Sequence, residues 1–292
     1  ENVKWDGTEK TKYDQFVWIP VSNANKMFMC QAKTESDSGC DLKIEGNEVI
    51  CQTHKTADAT KSKKMAGRLY ATSTGENFNN SLTTQTYNAN RGLREPAIVT
   101  GNSTGTGTSY DGSSTDNSIG LTLATLQEEY NSAVKKVIQS GGFWVGRYET
   151  SNMTQNPNTA VKVVAGTNTG INNVNWYCMY GQQKAYSANK NLSGVKSSMI
   201  LGACHDQVLE FVNTENYNVK NTGYALHNKN YNDGPWQTAG LDYADKSSYK
   251  DVSKNVYDLE GNVFEWTTES GSSDIRVGRG RQLRRLRFSL LS

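Results

Sequence analysis

Residues 255–270 read NVYDLEGNVFEWTTES, and this stretch says most about the fold. Its centre, GNVFEW, places two aromatic residues around a carboxylate. The 22 residues that follow, 271–292, contain no Cys and no His, whereas five Arg fall within positions 279–287. The stretch and its tail therefore indicate the kind of surface this chain carries more clearly than the molecule it binds.

The composition indicates a folded, loop-rich protein. Apolar residues make up 35%, and 15 Tyr and 6 Trp accompany abundant Gly, Asn, Ser and Thr, which favours an aromatic core among long loops. A net charge of +2 gives no electrostatic reason to expect nucleic acid or a membrane surface as a partner. No run approaches the roughly 20 apolar residues of a membrane span. The polar loop composition favours an extracellular location, on a bacterial cell surface or a phage virion.

The five cysteines leave their pairing open. Cys30, Cys40 and Cys51 fall in one loop-like segment, and an odd total leaves at least one thiol without a partner in this chain. A Cys30–Cys51 or a Cys40–Cys51 bridge and three unpaired thiols are equally compatible with the sequence. The spacings are too wide for a Cys-x2-Cys metal knuckle, and no His lies near such a pair, so a structural zinc site is not expected.

Periodicity predicts a small number of regular elements. An apolar aromatic run at 13–21 predicts a strand. Helical spacing predicts helices at 121–139, 174–189 and 204–213, the first of them ended by Gly141 and Gly142 and followed by a strand at 143–148. Residues 30–120 are polar, weakly periodic and typical of loops.

Four segments together resemble a known family. They are FVWIPV at 16–21, GGFWVGRYETSN at 141–152, NVYDLEGNVFEWTTE at 255–269, and RVGRG followed by LRFSL near the last residue. In this order they resemble the formylglycine-generating-enzyme (sulfatase-modifying-factor) type of C-type-lectin-like domain. The motif residues that carry the resemblance are Gly261, Asn262, Trp266, Arg147 and Glu149.

The resemblance implies a single α+β domain over residues 1–292. Its fold would be irregular and loop-rich, with short twisted strands and two or three helices. Residues 30–120 would form a polar insertion, and 271–292 would form a variable, ligand-facing tail.

The resemblance also separates two uses of this fold. The enzymes bind copper through a cysteine pair near the C-terminus, but the last cysteine here is Cys204, so no copper is expected. Relatives that bind iron use histidine, and no His follows His227. The variable proteins of diversity-generating retroelements resemble this chain most. They use the same fold to bind ligands, although their tails are typically longer than this one.

The leading hypothesis is therefore a non-catalytic, receptor-binding or adhesin-like protein with a diversified C-terminal surface. Its ligand would be an unknown protein or glycan on a cell surface. The alternatives are an oxidoreductase of the formylglycine-generating type, disfavoured by the missing cysteines, and a structural subunit of a pilus or virion. The expected ligand-binding residues lie in the tail and are Arg276, Arg279, Arg281, Gln282, Arg284 and Arg285.

The resemblance further implies a calcium site around GNVFEW, with Asp258, Gly261, Val263 and Glu265 as ligands. Carboxylates and carbonyls are the hard oxygen donors that Ca²⁺ prefers. Alternatively, Asp258 caps a turn and Glu265 pairs with an arginine such as Arg147 or Arg276.

Two groups of side chains have structural interpretations. The aromatic side chains near the motifs, which are Trp144, Tyr148, Phe264 and Trp266, are expected in the core. The sequence Cys204-His205-Asp206 is expected to be structural, because adjacent residues of a helix do not face each other.

Overall fold

A computed structural model of the chain describes residues 12–33, 39–69, 77–78, 95–96, 119–154, 156–164, 176–212, 218–219, 225–226, 252–257, 259, 265–270 and 276–279. In these ranges the chain is a mixed α+β structure with three helices and small antiparallel sheets. None of these helices is long and apolar enough to cross a membrane.

The three helices agree with the sequence predictions to within two residues at each end. They are α1 (Leu123–Ser140), α2 (Trp176–Asn189) and α3 (Gly202–Val212). At the start of α1, the Thr122 and Thr125 side chains each accept the other's backbone N–H, which satisfies donors that have no partner within the helix. At its end Gly141 adopts a left-handed conformation with φ of 68°, as a helix C-cap requires.

The strands are short and pair only in the antiparallel sense. In chain order they are β1 (Phe16–Pro20), β2 (Phe28–Cys30), β3 (Leu42–Glu45), β4 (Glu48–Cys51), β5 (Met65–Leu69), β6 (Asn77–Phe78), β7 (Gly142–Gly146), β8 (Asn218–Val219), β9 (Ala225–Leu226), β10 (Val252–Ser253), β11 (Val256–Tyr257), β12 (Glu265–Ser270) and β13 (Arg276–Arg279). The sheets are β1–β7, β2–β5–β6, β3–β4, β8–β9, β10–β11 and β12–β13. The predicted strands at 13–21 and 143–148 are therefore confirmed as β1 and β7, paired with Trp18 opposite Trp144.

The expectation of loops throughout residues 30–120 is wrong for 42–69. This segment contains β3, β4 and β5, and five of its apolar side chains are buried in the same cluster as Tyr130 and Val134 of α1, namely Leu42, Val49, Cys51, Met65 and Ala66. The prediction failed because the strands are only four or five residues long and lie in a segment rich in charged and small polar residues.

Two further apolar clusters complete the core. One surrounds α2, where Trp176 stacks on Tyr180 and donates its indole N–H to the carbonyl of Thr267 at 2.8 Å. The other joins Ile19 of β1 to the apolar face of α3, where Leu209 and Val212 are buried. The bond from Trp176 of α2 to Thr267 fixes β12 on one side, and the backbone N–H of Thr268 donates to the carbonyl of Ile200, two residues before α3. The hairpin β12–β13 is therefore attached to both helical regions.

Asn131 is the polar link between α1 and the 42–69 segment. Its side-chain amide donates to the carbonyl of Lys63 at 2.9 Å, and its Oδ1 accepts the backbone N–H of Met65 at 3.1 Å. We expect Asn131→Ala to lower the free energy of unfolding by about 2 kcal/mol, since it leaves two backbone groups without their partner. Urea denaturation monitored by circular dichroism measures this.

The neighbouring Ser132→Ala is the matched control, because the Ser132 hydroxyl contacts only the exposed Lys196 amine among the described residues. It should change the free energy of unfolding by less than about 0.5 kcal/mol. Equal effects of the two substitutions would contradict the view that Asn131 joins the segment to the helix.

Candidate functional site

Four side chains that could hold a metal ion converge between β2 and the β3–β4 hairpin. Cys30 is the last residue of β2, and Cys51 is the last residue of β4. Cys40 lies two residues before β3, and His54 lies in the turn that follows β4. The hairpin turns through Gly46, whose φ of 59° suits the first position of a two-residue turn and fixes the register that carries Cys51 back beside Leu42.

The ligand atoms of this cluster lie close enough to contact one ion. Nδ1 of His54 is 3.2 Å from Sγ of Cys30, 3.7 Å from Sγ of Cys40 and 3.1 Å from Sγ of Cys51. The sulfurs of Cys30 and Cys40 are 3.5 Å apart, and all four atoms lie within 4.8 Å of one another. All four side chains are buried. We refer to Cys30, Cys40, Cys51 and His54 as the Cys3His cluster.

No disulfide forms here, because all five cysteines are free. No structural zinc site is expected from the sequence, yet His54 faces the sulfurs of Cys30, Cys40 and Cys51. The sequence feature that points to this cluster is Cys51-x2-His54, which lies at the end of a strand and in the turn after it. A search for Cys-x2-Cys pairs does not find it. Cys30 and Cys40 reach the cluster through chain folding, which the spacing could not reveal.

A second buried polar centre lies beneath the β12–β13 hairpin. Glu269 of β12 is fully buried and receives two hydrogen bonds from Arg279 of β13, from Nε at 2.9 Å and from Nη2 at 2.6 Å. Nη2 of Arg279 also lies 3.5 Å from Oδ1 of Asp206 on α3. This two-point pairing fixes the strand geometrically as well as electrostatically, because the guanidinium plane must match the carboxylate plane.

Glu95 adds a further buried carboxylate to this centre. It receives the backbone N–H groups of Gly202 and Ala203 at the start of α3, the latter at 3.0 Å, where the helix dipole favours a negative group. The hydroxyl of Tyr130 donates to it at 3.1 Å, and the hydroxyl of Thr268 donates to its other oxygen. Burial, and then the nearby charge of Glu269, raise the pKa of Glu95 to about 7 in spite of these hydrogen bonds.

His205 lies in the same interior with both ring nitrogens lacking a hydrogen-bond partner among the described residues. Burial and the nearby Arg279 lower the pKa of His205 to about 3, so the ring is neutral at pH 7. Its Nε2 is 3.9 Å from the Glu265 carboxylate. Because the ring is neutral, this contact is not an ion pair. Burial also raises the pKa of the Cys204 thiol, so this segment offers no thiolate nucleophile near neutral pH.

The sequence-predicted ligand-binding residues are placed unequally. Arg279 is buried and paired with Glu269 and Asp206. Its guanidinium therefore faces the interior and not a ligand on the surface. The backbone of Arg276 lies in β13. The remaining predicted contacts lie outside the described residues and are Arg281, Gln282, Arg284 and Arg285.

The predicted calcium ligands and motif residues are also only partly described. Of the calcium set, Glu265 is described and partly exposed, while Asp258, Gly261 and Val263 lie outside the described residues, as does Asn262 of the motif. The guanidinium of Arg147 lies over the rings of Tyr148 and Tyr257 and donates to Asn255 Oδ1 at 3.3 Å. Glu149 is buried.

Of the aromatic residues expected in the core, two are placed there at least in part. Tyr148 is buried, and Trp266 packs against the α2 cluster. The expectation is wrong for Trp144, which is 64% exposed because it lies on the outer face of the two-stranded β1–β7 sheet, edge-on to Trp18. Phe264 lies outside the described residues.

The raised pKa of Glu95 makes a pH-dependent contribution to stability. Because its folded pKa of about 7 exceeds the ordinary value of 4.5, the folded state holds a proton between these pH values that the unfolded state releases. That contribution is complete below pH 4.5 and is lost as the pH rises through 7. Relative to Glu95→Gln, the wild-type protein should lose about 2–3 kcal/mol of unfolding free energy between pH 5 and pH 8.

Chemical denaturation of both proteins at several pH values measures the difference. Glu48→Gln is the control, because Glu48 is an exposed carboxylate paired with Lys63. A difference between wild type and Glu95→Gln that stays constant from pH 5 to pH 8 would show that Glu95 does not hold a proton in this range.

Known proteins give no independent guide to these two centres. The chain matches no family model, no curated protein and no solved structure. The resemblance noted in the sequence therefore stays a prediction, and the function has to be argued from geometry and chemistry.

Proposed function

We propose that this chain is a non-catalytic ligand-binding domain of the C-type-lectin-like type, and that it presents the segment after Arg279 to its target. The ligand would be a protein or an acidic glycan on a cell surface. The observation that carries the proposal is the buried pairing of Arg279 with Glu269 and Asp206. A rigid base directly before a short, highly basic segment suits a binding surface better than it suits an active site.

The energetics of the Arg279 pair support its role as a base. Removing one partner from a buried ion pair typically costs about 3–5 kcal/mol, because the other charge stays buried without compensation. Arg279 is the last residue of β13, where it pairs with Glu265 of β12 while the preceding Gly278 pairs with Trp266. The start of the tail is therefore fixed to the core, which reduces the conformational entropy lost when a ligand binds nearby.

The residues after this base supply chemistry for an acidic ligand. Arg281, Arg284, Arg285 and Arg287 follow Arg279 within eight residues. The planar guanidinium binds carboxylate, sulfate and phosphate groups through paired hydrogen bonds, which a lysine cannot reproduce. The net charge of the whole chain is only +2, so the tail is a local concentration of positive charge.

The chemistry of the described interior supports a binding role over an oxidoreductase. Residues 205–292 contain no cysteine and so do not match the cysteine pair that the resembling enzymes use. Cys204 itself is buried, and its thiol pKa is raised. Among the described residues, His205 is a neutral buried ring without a hydrogen-bonded partner to activate it.

Replacing the tail arginines should abolish binding without unfolding the chain. We expect the triple substitution of Arg281, Arg284 and Arg285 by Ala to weaken binding to sulfated or sialylated glycans on an array by at least about tenfold. The midpoint of thermal unfolding should stay unchanged. Arg279→Ala should instead lower that midpoint, since it removes the partner of Glu269.

The matched control removes the same charge elsewhere, through Ala at the exposed Lys26, Lys43 and Lys136. An equal loss of binding in this control would mean that net charge alone attracts the glycans. Wild-type chain that binds no acidic glycan and no intact bacterial cell would contradict the proposed function and favour a structural pilus or virion subunit.

Diversification of the tail has a separate test in the gene's neighbourhood. A near-copy of the 3′ end that differs at adenines, beside a reverse-transcriptase gene, would establish it. Without such a copy the tail is a fixed binding surface, and that part of the proposal fails.

Calcium binding around Glu265 remains part of the proposal. We expect CaCl₂ added to calcium-free chain in a buffer that already contains ZnCl₂ to raise the midpoint of thermal unfolding, and the same concentration of further ZnCl₂ to leave it unchanged, because oxygen ligands suit Ca²⁺. Glu265→Gln should reduce the calcium response, whereas Glu210→Gln, an exposed position on α3, should not. A midpoint that does not respond to calcium would remove calcium from the proposal.

A further inference from the structure

We infer that the Cys3His cluster is a structural zinc site. The inference depends on the positions of Cys30, Cys40, Cys51 and His54 and holds whatever the tail binds. Its first support is distance. A tetrahedral zinc ion with Zn–S bonds of about 2.3 Å and a Zn–N bond of about 2.0–2.1 Å separates two sulfurs by about 3.8 Å, and a sulfur from a nitrogen by about 3.6 Å. Here the three sulfur–nitrogen separations run from 3.1 to 3.7 Å, the sulfurs of Cys30 and Cys40 are 3.5 Å apart, and all four atoms lie within 4.8 Å of one another.

A disulfide is a poorer account of the same atoms. The sulfurs of Cys30 and Cys40 are 3.5 Å apart, far beyond the bond length of about 2.05 Å. Three sulfurs are also an odd number, so a bridge between any two would leave one buried thiol beside the imidazole. A cation accepts all four groups at once, which no pairing of the cysteines can do.

The ligand types select zinc among common metal ions. Calcium and magnesium take oxygen ligands, and the cluster offers none from its side chains. Three thiolates and one imidazole in a tetrahedral arrangement are a common ligand set of structural zinc. Iron–sulfur clusters use four cysteines in most proteins, and here the fourth position is the His54 ring.

The surroundings indicate a structural role for the ion and not a catalytic one. Catalytic zinc keeps an open position for water or substrate, whereas here four protein ligands fill the tetrahedron. Cys30 and Cys51 are fully buried, and Cys40 and His54 are less than a tenth exposed. The backbone N–H of Cys30 donates to the Cys40 sulfur at 3.2 Å, which would stabilise negative charge on that ligand.

The ion would join four pieces of the chain that are separate in sequence. It would tie the end of β2 to the end of β4, to the approach to β3 and to the turn that carries His54. The three cysteines belong to the same apolar cluster as Tyr130 and Val134 of α1. Zinc would therefore fix the 42–69 segment against the helix, and its removal would destabilise that segment first.

Metal analysis of the full chain tests the inference directly. Chain purified under reducing conditions with zinc present should contain one zinc ion per molecule by mass spectrometry of the metal. After replacement by Co²⁺ it should show the intense visible absorption of a tetrahedral thiolate site. A chain that binds neither ion, that holds iron or copper instead, or that contains a disulfide among Cys30, Cys40 and Cys51 would overturn the inference.

Variants assign the ion to these four residues. Cys30→Ser, Cys51→Ser and His54→Ala should reduce zinc content at least tenfold, whereas His54→Cys should retain zinc and change the cobalt spectrum. Cys178→Ser is the matched control, because Cys178 is a buried cysteine on α2 outside the cluster. Equal loss of zinc in Cys178→Ser would overturn the assignment. If the serine variants do not fold, the wild-type zinc content and cobalt spectrum still decide.

Discussion

The described core depends on the hydrogen bonds that the buried side chain of Glu95 accepts. It receives hydrogen bonds from Tyr130 of α1, from the first two residues of α3 and from Thr268 of β12, which are separated from it by 35 to 173 positions in sequence. Its backbone carbonyl also accepts the N–H of Gly67 in β5 at 3.3 Å. The side chain therefore satisfies donors from three elements and the backbone of the same residue a donor from a fourth, so losing the side chain would leave several donors buried and unpaired.

The two buried polar centres stabilise different parts of the chain. The centre around Glu95, Glu269 and Arg279 joins α3 to the β12–β13 hairpin. The Cys3His cluster joins β2 to the β3–β4 hairpin, and its cysteines belong to the same apolar cluster as Tyr130 and Ala203. The division suits a chain with a low apolar content of 35%, because specific polar contacts must supply order that a smaller apolar core does not.

An element could be predicted from the sequence where one local physical signal dominated. The role of a residue could not be predicted where its partners approach it only in the folded chain. The helix α1 was predicted because Leu126, Tyr130 and Val134 repeat at helical spacing and Gly141 ends them. The β3–β4 hairpin was missed although Gly46-Asn47 between two alternating runs is a hairpin signal. The role of Arg279 could not be predicted, because its partners Glu269 and Asp206 meet it only in three dimensions.

The position of Arg279 divides the end of the chain by its tolerance to mutation. Replacing Arg279 by a neutral residue leaves the buried carboxylates of Glu269 and Asp206 without their cation, so selection for folding restricts this position strongly. The proposed function assigns the arginines after it to the ligand. Under the proposed function, new binding specificities can arise there without first being compensated by stabilising mutations elsewhere. The buried ion pair would in that case make the protein evolvable as well as stable.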